Sequence, residues 1–144
     1  MADKTESSIV INAGPAAIMD VIADLPAYPE WSDGVKSVEV LTEYEDGRPG
    51  DARFDVDAGP IKDTYELAYE WDGDTKCTWK LVKGGVIKKN DGSYTLTDNG
   101  DGSTKVDYSL VIDLSVPMLG MLKRKAEKTI VDTALKGLKA RVEG

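Results

Sequence analysis

The sequence contains no histidine. That removes the commonest general base and the commonest metal ligand together, along with every Ser-His or Cys-His nucleophile. Catalysis would fall to carboxylates, Lys, Arg, Tyr or bound water, and no metal site and no cofactor is expected. Cysteine occurs once, at Cys77, so no intramolecular disulfide, CxxC pair or thiolate cluster is available. Positive charge is also scarce: 18 Lys and Arg against 26 Asp and Glu leave a formal charge of −8, spread along the chain. Such a surface repels phosphate backbones and anionic headgroups, so nucleic acid is not an expected partner. No stretch approaches the ~20 apolar residues of a membrane helix. The opening "MADKTESSIVINAG" lacks a basic region followed by an apolar run. A soluble, cytoplasmic protein with no integral membrane segment is the reading.

What is present suits a globular chain. Of the 144 residues, 41% are hydrophobic and 31% charged, a balance and a size that predict one domain over residues 1–144. "TESSIVIN", residues 5–12, reads as a strand ending at an Asn-Ala-Gly-Pro break. Pro15 suits the first turn of a helix, and Ile18, Val21, Ile22 and Leu25 follow at helical spacing until Pro26 and Pro29 end it.

From Val35 to Leu114 the period changes from 3.6 to 2, and "VKSVEVLTEY", "DARFDVDA", "KDTYELAYEW", "TKCTWKLV", "GSYTLTD" and "TKVDYSLVIDL" read as six strands of an antiparallel meander. Asn90-Asp91-Gly92 reads as a turn or as a bulge in the connection before "GSYTLTD". Alternation puts Phe54, Val56, Tyr65, Leu67, Tyr69, Trp71, Cys77, Trp79 and Leu81 on one face; Arg53, Asp55, Asp57, Glu66 and Glu70 lie on the other. One face is thus aromatic and the other charged. Tyr94 and Tyr108 join the inner set.

From Pro117 onward, Leu119, Leu122, Ala126, Ile130, Ala134 and Leu138 recur every three or four residues, which predicts a long amphipathic helix. Gly120 and Gly137 weaken it by roughly 1 kcal/mol each. The run Lys123–Lys128, "KRKAEK", reads as its solvated face, screened by Glu127. The alternative role for that run is transient contact with an anionic acyl carrier or a membrane surface at a cavity rim. The order of elements is that of an α+β domain whose sheet and last helix bury each other's apolar faces.

The stretch "DLPAYPEWSDGVKSVEVL", with Tyr28-Pro29-Glu30-Trp31 between a helix and a strand, followed by a meander and a long last helix, resembles the START/Bet v 1-like (SRPBCC) superfamily. Within it the chain is similar to the bacterial polyketide cyclase/dehydrase and lipid-transport family. The resemblance implies a helix-grip fold: a seven-stranded antiparallel sheet curved around the C-terminal helix, two short helices after the first strand, and a cavity for a small hydrophobic molecule. By that resemblance Trp31 caps or lines the cavity, with Tyr28 beside it. Phe54, Tyr65, Tyr69, Trp79, Tyr94, Tyr108, Leu119 and Leu122 are the other candidate ligand-binding residues. Tyr and Trp each carry a polar atom needing a partner when buried, which suits a cavity with a few polar anchors.

The expected function is binding or transport of a lipid, isoprenoid, quinone or polyketide-like molecule. An aromatase/cyclase or dehydratase in the same cavity is the alternative, and it would need inward-facing acid/base groups. Arg53, Glu66 and Glu70 fall on the charged outer face, and Cys77 reads as a small buried residue with no activator, so no catalytic residue is assigned. A third reading has Met118, Met121 and the leucines of the last helix filling the space, leaving a role for the surface alone.

Overall fold

The computed structural model describes residues 4–32, 34–58, 61–114 and 120–144, and within them the side chains of all but residues 58, 61 and 120–122. Seven strands form one antiparallel sheet: β1 (Lys4–Ile11), β2 (Val35–Val40), β3 (Asp51–Ala58), β4 (Ile61–Asp72), β5 (Lys76–Lys83), β6 (Ile87–Asp98) and β7 (Thr104–Leu114), in the order β1-β7-β6-β5-β4-β3-β2. Consecutive strands from β2 to β7 are neighbours, as short turns dictate. β1 crosses to pair with β7, with Lys4 opposite Val111 and Ile11 opposite Thr104. A helix, α1 (Pro15–Ala23), and a 3-10 helix (Leu25–Glu30) connect β1 to β2, and α2 (Gly120–Glu143) follows β7.

Two sequence expectations are corrected here. Pro26 and Pro29 do not end the helical path. Pro26 starts the 3-10 helix and Pro29 lies within it, where three-residue hydrogen bonding tolerates a missing N–H and a fixed φ. Asn90-Asp91-Gly92 is neither a turn nor a bulge: all three residues lie in β6, paired with Ile112, Val111 and Leu110, and the register shift falls earlier, between Ile87 and Lys89. The first expected meander strand is also shorter. It leaves the ladder after Val40, where Leu41 and Thr42 both donate to the Asp51 carbonyl.

The inner face carries the core. Phe54, Leu67, Tyr69, Cys77, Trp79, Tyr94, Leu96, Val106, Tyr108, Leu110 and Ile112 are buried on it. The outer face holds the Arg53 ion pairs to Glu39 at 3.2 Å and Glu66 at 3.3 Å. α2 lies against β1 and β7 through Val131, Leu135 and Leu138. Lys139 donates to the Val10 carbonyl at 3.0 Å, and Glu143 accepts the Asn12 N–H at 2.8 Å. Glu127 does not screen a solvated face. It is 2% exposed, accepting from Lys123 at 2.6 Å and from the Thr5 hydroxyl at 3.3 Å, because β1 covers that side of the helix.

Asp63 ties β4 to the β5–β6 loop, accepting from the N–H groups of Gly85 at 3.1 Å and Ile87 at 2.9 Å. Burial pushes its carboxyl up, but the backbone N–H groups of Ile87, Gly85, Val86 and Thr64 outweigh that and hold it below the ordinary 3.8. A lowered carboxyl contributes stability that is present above the unfolded value and lost as pH falls through the folded one. In Asp63→Ala the Gly85 and Ile87 amides are expected to exchange with solvent faster than in the wild type at neutral pH. The relative gap should close in acid as the wild-type carboxyl protonates, and a gap independent of pH would refute the assignment.

Candidate functional site

A cavity of about 750 Å³ lies between the inner face of the sheet and α2. Its sheet wall is built by cross-strand aromatic pairing. Phe54 faces Tyr65 across β3 and β4 with the rings stacked at 5.5 Å and 7°. Tyr69 meets Trp79 at 5.8 Å, Trp79 meets Tyr94 at 5.5 Å and Tyr108 at 5.7 Å, and Tyr94 meets Tyr108 at 4.7 Å. Each tilted or stacked pair adds ~0.5–1.5 kcal/mol beyond area burial, so the wall is rigid before anything enters it.

The fit of Trp79 depends on the residue opposite. Trp79 pairs with Gly92, and a Cβ on Gly92 would stand 2.3 Å from Cζ2 of the indole. The glycine in β6 therefore marks a close approach of a neighbouring ring rather than a turn. The Trp79 N–H donates to the Asn90 side chain at 3.1 Å. Asn90 is 7% exposed and lines the cavity.

Tyr28 and Trp31 close the cavity on the side of the short helices. The Tyr28 hydroxyl donates to the Ile22 carbonyl at 2.5 Å, satisfying one of the carbonyls left unpaired in the last turn of α1. Its ring meets Trp31 at 4.8 Å and Phe54 at 6.2 Å. α2 can reach Trp31 because residue 137 is glycine: a Cβ there would come within 2.6 Å of the Trp31 carbonyl oxygen. Arg141 pairs with Glu30 at 3.0 Å beside this contact. The Trp31 indole N–H is buried with no acceptor among the described residues.

The helix wall comes from Lys125, Ala126, Thr129, Ile130, Thr133 and Ala134. The expected helical stripe therefore divides by function, with Ala126, Ile130 and Ala134 turned to the cavity and Leu138 to the core. Val131 and Leu135, which share that core side, were not in the expected stripe. Trp31, Phe54, Tyr65, Tyr69, Trp79, Tyr94 and Tyr108 all line the cavity. Leu119 and Met118 lie outside the described residues, as do the side chains of Leu122 and Met121. Sequence reading passed over Asn90, Thr129 and Thr133; for the two threonines the available signal was their place beside Ile130 on the helix.

Burial raises the hydroxyls of Tyr65, Tyr69, Tyr94 and Tyr108 above the ordinary phenol range. They remain protonated donors at any physiological pH. Burial likewise pushes the Cys77 thiol up to about 12, so it is held as the unreactive thiol. Asp57 and Lys125, both exposed, mark the opening. Among the described residues no cluster of three or more Asp, Glu or Cys side chains could hold a metal, and no helix is long and apolar enough to cross a membrane.

The sequence matches the family model for polyketide cyclase/dehydrase and lipid transport over residues 2–143. No curated protein matches it. Among solved structures, a START superfamily protein from Mycobacterium smegmatis superposes with a TM-score of 0.89 at 24% identity, covering 97% of each chain. A protein from Thermus thermophilus gives 0.84 at 24% identity, covering 98% of this chain and 97% of that one. The Zhui aromatase/cyclase from a Streptomyces species gives 0.82 at 14% identity, covering 99% of this chain and 94% of that one. At such identities the likeness is one of fold, and the fold is the START helix-grip. With sheet order, cavity and family model in agreement along almost its whole length, the chain belongs to the polyketide cyclase/dehydrase and lipid transport family.

Proposed function

We propose that this protein binds and carries a small hydrophobic molecule in the cavity between sheet and α2, as a soluble carrier in the cytoplasm. The observation that carries the reading is the cavity itself: about 750 Å³ walled mainly by aromatic and aliphatic side chains, within the ~300–1,000 Å³ of small-molecule sites. Trp31, Phe54, Tyr65, Tyr69, Trp79, Tyr94 and Tyr108 are the proposed contacts. The polar groups described in the wall are neutral and hold their protons, which suits orienting a ligand more than removing protons from it. The described charged lining groups, Asp57 and Lys125, stand at the opening.

Native mass spectrometry of protein purified from cells that make its natural metabolites tests this. The expected spectrum shows an excess mass that disappears on denaturation, and the released molecule is apolar. Bare protein that takes up nothing from a panel of fatty acids, quinones and aromatic polyketides would overturn the reading and favour a role for the surface. Release of a product whose mass or absorption differs from the molecule added would replace the carrier with the cyclase or dehydratase reading.

A further inference from the structure

Resting on the reading of the cavity as a hydrophobic-ligand site, we infer that Asn90 is its specificity-determining residue, donating from its amide NH2 to the carbonyl oxygen of a neutral ketone or quinone. An indole N–H can only donate. The Asn90 atom that faces Trp79 Nε1 at 3.1 Å is therefore the carbonyl oxygen, and chemistry sets the orientation of the amide. Its NH2 is left for other partners, and no described residue accepts from it. Asn90 is 7% exposed and belongs to the cavity wall, so an acceptor on the bound molecule completes it.

The aim of that NH2 is secured by the parts around it. The indole sits over Gly92, and Tyr69, Tyr94 and Tyr108 hold it from three sides. Trp79 cannot swing away without breaking those contacts, and Asn90 cannot flip without facing N–H toward N–H. The choice of acceptor follows from charge. A hydrocarbon leaves a buried donor unsatisfied. A carboxylate would accept the bond but would be buried with neutral neighbours, since Lys125, the cation among the described lining residues, is exposed at the opening. A neutral carbonyl satisfies the NH2 and brings no charge.

Anthraquinone and anthracene share a fused three-ring frame and differ by two carbonyl groups. Their affinities are measured by titration calorimetry on the wild type and on the double variant Trp79→Phe, Asn90→Leu. Removing both partners of the buried hydrogen bond leaves neither unsatisfied, so the double variant is expected to fold. The anthraquinone-to-anthracene affinity ratio should fall about tenfold in the double variant, the worth of one buried hydrogen bond, with anthracene affinity held within about twofold. The infrared C=O stretch of anthraquinone bound to the wild type, which needs no variant, should lie below its position in hydrocarbon solvent.

An unchanged ratio in the double variant would assign the bond to the tyrosine hydroxyls and overturn the role of Asn90. A wild-type C=O stretch at the hydrocarbon position would overturn it as well. Both failures leave the cavity reading standing, provided the probes bind. If neither probe binds the wild type, the cavity reading and the role of Asn90 fall together.

Discussion

Lys123→Met should be among the most damaging single substitutions in the protein, costing about 3–5 kcal/mol. Glu127 is 2% exposed, and Lys123, 2.6 Å away, is its one cationic partner among the described residues. Without the ammonium, the carboxylate keeps the Thr5 hydroxyl at 3.3 Å as its described partner, and a buried charge held by one neutral donor is strongly unfavourable. The Lys123 side chain is 25% exposed, so water partly screens the pair and the lower end of the range applies. Lys123 also donates to the Ile112 carbonyl at 3.1 Å, fastening the first turns of α2 to β7. Urea unfolding at neutral pH reads the loss directly. Combining Lys123→Met with Glu127→Leu should recover most of it, because replacing both members of a buried pair removes the desolvation penalty along with the attraction. No recovery in the double variant would mean that the ammonium acts through Ile112 and not through Glu127.

Gly92→Ala adds one methyl group and should destabilise the protein by about 1–3 kcal/mol, toward the upper end. The new Cβ would lie 2.3, 2.5 and 2.8 Å from Cζ2, Cε2 and Nε1 of Trp79. All three atoms belong to a rigid ring, so the clash cannot be relieved at the tip of a flexible chain. The ring has little freedom to retreat: Trp79 is 6% exposed and bounded by three tyrosine rings. Thermal unfolding should show a fall in Tm of roughly 5–10 °C. The coupling test uses Trp79→Leu, which is costly alone through lost packing but should be less costly in the Gly92→Ala background than in the wild type. Simple additivity would show that the alanine is accommodated elsewhere and that Gly92 is not the seat of the indole.

The way these two sites escaped a reading of the chain shows which forces act locally. Alternation along β3, β4 and β5 is a property of the extended backbone, so Phe54, Tyr65, Tyr69 and Trp79 could be assigned to one face without knowledge of their neighbours. Asn90-Asp91-Gly92 carries strong turn chemistry, and what overrides it lies on another strand: the Trp79 ring needs both the space above Gly92 and an acceptor from Asn90. Glu127 failed for a similar reason. Among Lys123, Arg124, Lys125 and Lys128 it looks solvated, and only the placement of β1 against α2 reveals that it is covered. Tyr28 and Trp31 stood out because bulky aromatics around a proline need something to pack on, but the terminal carbonyl of α1 and the gap at Gly137 that receive them are contacts between distant residues. Residue type and spacing reported the faces, and the partners across them set the exceptions.

The pairing of β1 with β7 has a consequence for how the chain is made. Lys4 finds its partner in Val111, roughly a hundred residues later, which at ~5–20 residues per second is about 5–20 s of synthesis. Through that interval the nascent chain holds an unpaired β-branched strand, and the hairpins from β2 onward present an aromatic concave surface that α2 has not yet covered. Closing so long a loop is unfavourable until the contacts that reward it exist. The protein therefore completes its fold after translation has nearly finished, with its stickiest surface exposed longest, and the same surface that receives a ligand in the finished molecule is the one that must be kept from other nascent chains.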